Sequence, residues 1–154
     1  MAEQKEIKLS PQQVVQMYNQ QREQLASFQN IRNNISQNLM ETLTAIESLN
    51  EIKKSERGNN IKTAVGSGVY LNLKVDSVDK VTMFFGPNSS KEMSVAKAAK
   101  KLEERKKNLD KDLENISKEE LILLKNIQGI EGMLRQMQES QVRPQNQQGP
   151  AVIS

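Results

Sequence analysis

The chain has 154 residues, of which 36% are hydrophobic and 3% aromatic, with no Trp and a formal net charge of +3. A compact globule of this length carries more large apolar side chains, so narrow seams in an elongated fold are expected instead of a thick core. With neither Cys nor His, disulfides, thiol nucleophiles, zinc fingers and histidine-based acid–base or metal chemistry are excluded.

Residues 1–9 open on a polar stretch, MAEQKEIKL, that lacks the apolar core of a signal peptide and reads as a flexible N-terminus. The longest purely aliphatic run, Leu121–Leu124, is far too short to cross a membrane. The expectation is a soluble, cytoplasmic chain with no membrane partner.

Residues 10–58 read as one long helix. Ser10 can cap it, Pro11 suits its first position, and Gln13 stands where a capping box places Glu or Gln. Heptad spacing then selects Val14, Tyr18, Gln21, Leu25, Phe28, Arg32, Ile35, Leu39, Thr42, Ile46, Leu49 and Lys53, most of them apolar, which is a coiled-coil pattern. Lys53, Lys54 and Arg57 ahead of Gly58 supply a C-terminal stop.

Residues 59–93 switch to strand spacing. Val69, Leu71, Leu73 and Val75 alternate with polar or aromatic residues, and Val81, Met83 and Phe85 repeat the pattern after the polar link Asp76–Asp79. These two runs are expected to pair as a hairpin sharing one apolar face, with Ile61–Val65 as an outer strand. Asn88–Met93 is a poor strand by composition, and its pairing stays open. Gly66 and Gly68 read as turn or bulge glycines. No phosphate loop is expected around them, because a strand follows and no Gly-Lys-Ser/Thr appears. So small a sheet cannot bury both faces on two helix ends, and its edges are open, so self-association through the hairpins is expected.

Residues 94–140 form the second helix, whose seam runs Val95, Ala99, Leu102, Lys106, Leu109, Leu113, Ile116, Glu120, Leu123, Ile127, Ile130, Leu134 and Met137. Lys97, Lys100, Lys101, Arg105, Lys106 and Lys107 are interleaved with acidic residues as on a solvated helix face. No aromatic platform accompanies them, so no nucleic-acid partner is expected. Each helix is expected to be roughly 65–70 Å long. Folded back antiparallel, they match apolar layers along the seam: Val14 with Leu134, Tyr18 with Ile130, Leu25 with Leu123, Ile35 with Leu113, Leu39 with Leu109 and Ile46 with Leu102. Phe28 with Glu120 and Thr42 with Lys106 are exceptions. A parallel dimer through each arm separately is the competing arrangement. Residues 141–154, rich in Gln with Pro and Gly, read as a disordered tail.

The stretch NIKTAVGSGVYLNLKVDSVDKVTMFFGPN followed by SVAKAAKKLEER resembles the α class of prefoldin subunits. The matching features are Gly66 and Gly68 before the strand Val69–Val75, then Val81–Phe85 ending at Gly86, and Ala98 with Ala99 opening the helix. NSSKEM is more polar than that class's usual fourth strand, and TAV replaces a more aliphatic stretch. The resemblance, over about residues 10–140, implies a fold that is mainly α with a small β insert. In it, a long antiparallel two-helix coiled coil is joined by two central β-hairpins that oligomerise into a β-barrel body. It implies an ATP-independent holding chaperone without cofactor or enzymatic activity: two α subunits with four prefoldin β subunits, binding unfolded proteins and delivering them to a group II chaperonin.

Two residue sets follow. For client binding at the coiled-coil tips they are Val14, Val15, Met17, Tyr18, Leu25, Leu124, Ile127, Ile130, Met133, Leu134 and Met137. For assembly they are Val65, Gly66, Gly68, Val69, Leu71, Leu73, Val75, Val81, Met83, Phe85 and Gly86. At the tip, Val15, Met17, Ile31, Leu121, Leu124 and Met133 exceed what one seam needs, and unbranched Met suits varied partners. They could instead thicken the local core or meet a third helix. Gly129 and Gly132 should weaken the helix there. Two alternatives remain at this point: a filament-forming prefoldin-like homo-oligomer, and a coiled-coil scaffold that binds no client. An enzyme is not expected, because the carboxylates are dispersed and no nucleophile has a base beside it.

Overall fold

Capping chemistry starts both helices of the computed structural model, which describes residues 9–54 and 58–142. The elements run α1 (Pro11–Lys54), β1 (Asn60–Gly66), β2 (Val69–Lys74), β3 (Lys80–Gly86), β4 (Ser89–Ser94) and α2 (Val95–Val142). Residues 1–8 of the expected flexible N-terminus, Arg57 of the helix stop, and residues 143–154 of the expected tail lie outside the described residues. The fold is mainly helical with a small β insert.

At the start of α1, the Ser10 backbone N–H donates to Gln13 Oε1 at 2.8 Å and the Gln13 N–H donates to Ser10 Oγ at 3.3 Å. This reciprocal box satisfies amides that have no partner within the helix. Ser94 caps α2, its Oγ accepting from the Lys97 N–H at 3.2 Å. After α1, Gly58 takes φ +94 and its N–H donates to the Val75 carbonyl at 2.8 Å, while the Val75 N–H donates to the Asn59 carbonyl at 2.8 Å. The left-handed backbone at Gly58 is one that a Cβ disfavours.

Burial along the helices follows the heptads. Every expected seam position of α2, Val95 through Met137, is buried or half-buried. On α1 the same is true from Val14 to Leu49, but Lys53 is exposed and Ile52 is half-buried in its place. The correction has a simple cause: a lysine ammonium keeps its hydration, and the neighbouring isoleucine offers apolar surface within one helical step.

The strands pair differently from the expected hairpin. β1 pairs antiparallel with β2, and β3 with β4, as two separate two-stranded sheets. The runs Val69–Val75 and Val81–Phe85 therefore do not pair with each other, and Val69, Leu71, Leu73, Val81, Met83 and Phe85 are divided between two sheets. Turn chemistry decides this. Ser67 and Gly68, the two-residue loop between β1 and β2, both have positive φ, +49 and +78, the backbone that a tight type I′ hairpin loop requires. Pro87 and Asn88 form the turn between β3 and β4. The polar link at Asp76–Asp79 has neither signal. Ser89–Ser94 is a full strand despite its composition, and each hairpin carries a bulge, at Val65 and at Phe85.

The chain forms two compact units. One gathers residues up to Asn33 and from Glu114 onward, taking the first part of α1 and the last part of α2. There the two helices run antiparallel, since Tyr18 bonds Glu131 and Arg32 bonds Glu120. The other unit, Asn34–Leu113, holds the rest of both helices and all four strands. Its core joins Leu49 of α1, Met93 of β4, and Val95, Ala98 and Leu102 of α2, with Val81 and Met83 packed against it.

Candidate functional site

In the unit containing the start of α1, the seam is closed by Val14, Leu123, Ile127 and Ile130, each less than a tenth exposed. Eleven residues carry the expected client-binding set, and the structure sorts them into three groups. Val14, Ile127 and Ile130 are buried in the seam; Tyr18, Leu25, Leu134 and Met137 are half-buried along it. Val15, Met17, Leu124 and Met133 lie outside it, 39–46% exposed. Ile31, Leu121 and Ile122 are exposed beside them. Ile122 belongs to no residue set drawn from the sequence, yet the signal was there: of the four-residue run Leu121–Leu124, only Leu123 can occupy the seam.

Two polar links cross this unit. The Tyr18 hydroxyl donates to Glu131 Oε1 at 3.1 Å, and Arg22 Nη1 donates to the Tyr18 oxygen at 3.3 Å. The Arg22 guanidinium also lies 5.8 Å from the centre of the Tyr18 ring. Its pKa is raised above the ordinary value, first by the hydrogen bond to Tyr18 and more weakly by the charge of Glu131. The second link joins Arg32 Nη1 to Glu120 Oε2 at 2.8 Å. Glu120 is thus reached from Arg32, one helical turn beyond the Phe28 that seam register set opposite it. A groove lined by Pro11, Met133, Gln136, Met137 and Ser140 runs beside the end of α2.

The hairpins carry the other residue set. Ile61, Leu71 and Leu73 share one face of the β1–β2 sheet by register, since Ile61 opposes Leu73 and Thr63 opposes Leu71. Leu71 and Leu73 are 47% and 44% exposed, and Val65 and Val69 are more than half exposed. Val81 and Met83 are half-buried on the helix core, Val75 is half-buried, and Phe85 is exposed with Lys101 Nζ 5.6 Å from its ring centre. Gly66 and Gly68 take positive φ at the first turn and Gly86 ends β3. An isolated two-stranded sheet with a wet apolar face is marginal in water, so Val65, Val69, Leu71 and Leu73 are surplus to the fold of one chain.

Among the described residues no cluster of acidic side chains could hold a metal ion, and no helix is long and apolar enough to cross a membrane. What both units offer is uncovered apolar surface.

A search of curated proteins finds no match. Among solved structures, filamentous PFD from Methanocaldococcus jannaschii superposes with a TM-score of 0.62 at 21% identity, covering 78% of this chain and 97% of that one. At that identity the likeness shows the fold. The family described as prefoldin subunit matches residues 21–140, most of both helices and all four strands. A helix, two hairpins and a helix, matched over that span, make this chain a member of the prefoldin family.

Proposed function

We propose that this chain is an α-type subunit of an ATP-independent holdase chaperone. Its two hairpins join it to other prefoldin subunits, two α with four β, and the unit built from the start of α1 and the end of α2 holds unfolded polypeptides for delivery to a group II chaperonin. The observation that carries the reading is the apolar surface left outside a closed seam: Val15, Met17, Ile31, Leu121, Leu124 and Met133 are 39–54% exposed. Large apolar side chains left uncovered in this number on one unit mark a surface that meets a partner. The whole activity proceeds in the cytoplasm without cofactor and without chemical turnover.

The test is suppression of aggregation of a chemically denatured client by the full chain and by a Met17, Met133 and Met137 to Ser triple variant. The reading expects the variant to lose potency; unchanged potency removes these residues from client binding.

A second reading is a homo-oligomer that forms filaments through the same strands. What favours it is the fold shared with the Methanocaldococcus jannaschii PFD, which is itself filamentous. Native mass measurement of the chain alone, and again with a β-class subunit, separates the two. A long series of self-assembled species favours the filament, and a discrete complex of two with four favours the hetero-hexamer. A scaffold without client binding is the reading left standing if the wild-type chain suppresses no aggregation at all.

A further inference from the structure

The unit of residues 9–33 and 114–142 has two unlike sides. On α1, Met17, Gln24 and Ile31 recur every seven residues along one edge of the seam, with Val15, Arg22 and Gln29 along the other. On α2, Glu119, Asn126 and Met133 follow one edge, and Leu124, Glu131 and Gln138 the other. The bonds from Arg22 to Tyr18 and from Tyr18 to Glu131 bring the Arg22 and Glu131 edges together. In an antiparallel pair this puts the Met17 edge beside the Met133 edge on the opposite side.

That opposite side is nearly free of charge. With its next outward row, Gln20 and Ser27 on α1 and Ile122, Gly129 and Gln136 on α2, it holds one ionisable group among the described residues, Glu119. Met17, Ile31, Ile122 and Met133 are 39%, 43%, 53% and 45% exposed along it. Between them stand the exposed amides of Gln20, Gln24, Asn126 and Gln136. A Cβ on Gly129 would meet nothing within 4 Å, so the strip has an open stretch at its middle. The Arg22 side also exposes Val15, Leu121 and Leu124, but these are interrupted by Arg22, Glu131, Arg135 and Glu114.

Resting on the chaperone reading above, we propose that clients are held on the Met17–Met133 side alone, as extended, uncharged segments of non-native polypeptide. The chemistry matches the occupant. An unfolded segment presents apolar side chains together with backbone N–H and C=O groups that lack partners. The four apolar residues take the former, and carboxamides, which both donate and accept, pair the latter whatever the client's sequence. Without a net field the strip favours neither sign of charge and leaves uncharged segments the best match. Binding on the other side would strip water from Arg22, Glu131 and Arg135, an uncompensated cost.

The experiment places matched charges on each side of the full chain: Gln24→Glu with Asn126→Glu on the strip, and Gln29→Glu with Gln128→Glu on the opposite side. All four positions are exposed. The strip pair is expected to weaken capture of a denatured client at least about tenfold, since even one unpaired charge in a binding contact costs about that much, while the control pair stays within about twofold. Equal loss from both pairs, loss only from the control pair, or loss from neither overturns the one-sided site while leaving client holding in place. A wild-type chain that captures no client overturns both. A photo-crosslinking side chain at Gln24 or at Gln29, in the otherwise unchanged chain, gives the second measurement. Client adducts from position 24 and few from position 29 support the proposal, and the reverse or an equal yield defeats it.

Discussion

Arg32 and Glu120 meet at 2.8 Å across the two helices, with the Glu120 side chain 8% exposed and that of Arg32 42% exposed. The second oxygen of Glu120, Oε1, is buried and meets no donor among the described residues. A carboxylate in an apolar seam is costly unless paired, and here it is paired on one oxygen only. Removing the arginine alone, Arg32→Ala, is therefore expected to destabilise the helix pair by about 2–3 kcal/mol, somewhat less than a fully buried pair because Arg32 is partly wet. Replacing both by Leu should be neutral or stabilising. Urea unfolding of the wild-type chain and these two variants checks this; a double variant less stable than wild type would show that the pair contributes net stability.

Gly129 and Gly132 lie inside α2 with open space where a side chain would stand. Ala at each is expected to stabilise the helix by about 1 kcal/mol, because glycine loses more backbone freedom on folding and nothing obstructs the methyl group. Amide exchange across residues 126–136 should slow correspondingly. If looseness here serves client holding, the double variant will also hold clients less well.

Ser10→Ala removes the oxygen that accepts from the Gln13 N–H and should cost about 1 kcal/mol, read as faster amide exchange in the first turn of α1. Gln13→Ala tests the other half of the box, the bond to the Ser10 N–H, and should cost less, since that amide can turn to water.

Leu71→Ser and Met93→Ala separate assembly from folding. Leu71 is 47% exposed, so its loss should leave the thermal midpoint of the isolated chain nearly unchanged while weakening oligomers in sedimentation. Met93 is 5% exposed at the centre of the hairpin core, and its truncation should cost about 2–4 kcal/mol through lost burial and a residual cavity. An oligomer undisturbed by Leu71→Ser would remove the β1–β2 face from the assembly surface.

Glu114 has its pKa lowered chiefly by the hydrogen bond from Lys118, one turn along α2, and further by that residue's charge. A carboxyl whose pKa is lower folded than unfolded adds stability above its unfolded pKa, and this is lost as pH falls through the lowered value. Lys118→Met should therefore reduce helix stability at neutral pH and leave it unchanged in acid, a small difference measurable by helicity against pH.

Local spacing carried most of the fold. A seam repeating every three and four residues identifies its own members wherever the helix lies, which is why the positions from Val95 to Met137 are all found inside. Lys53 failed at the end of α1, where one residue of rotation exchanges a lysine for Ile52. Strand spacing was equally legible in Val69–Val75 and Val81–Phe85, but which strand each one meets was not, because alternation describes a strand's faces and says nothing of its partner. The clue lay in the Gly66-Ser67-Gly68 turn, whose positive φ values force β1 back on β2.

The chain's order of residues determined that two long helices flank a β segment, where they start, and which side chains enter the seam, because caps and helical periodicity act over a few neighbouring residues. Only the tertiary structure decided that Arg32 reaches Glu120, that Met93 closes a core with Leu49 and Leu102, and that Arg22 and Glu131 share one side while Met17 and Met133 share the other. Apart from Met93 with Leu102, those relationships join residues about 40 to 120 positions apart. Sequence distance is no measure of contact once two helices run antiparallel, and a side chain's flank acquires meaning only when the partner helix lies against it.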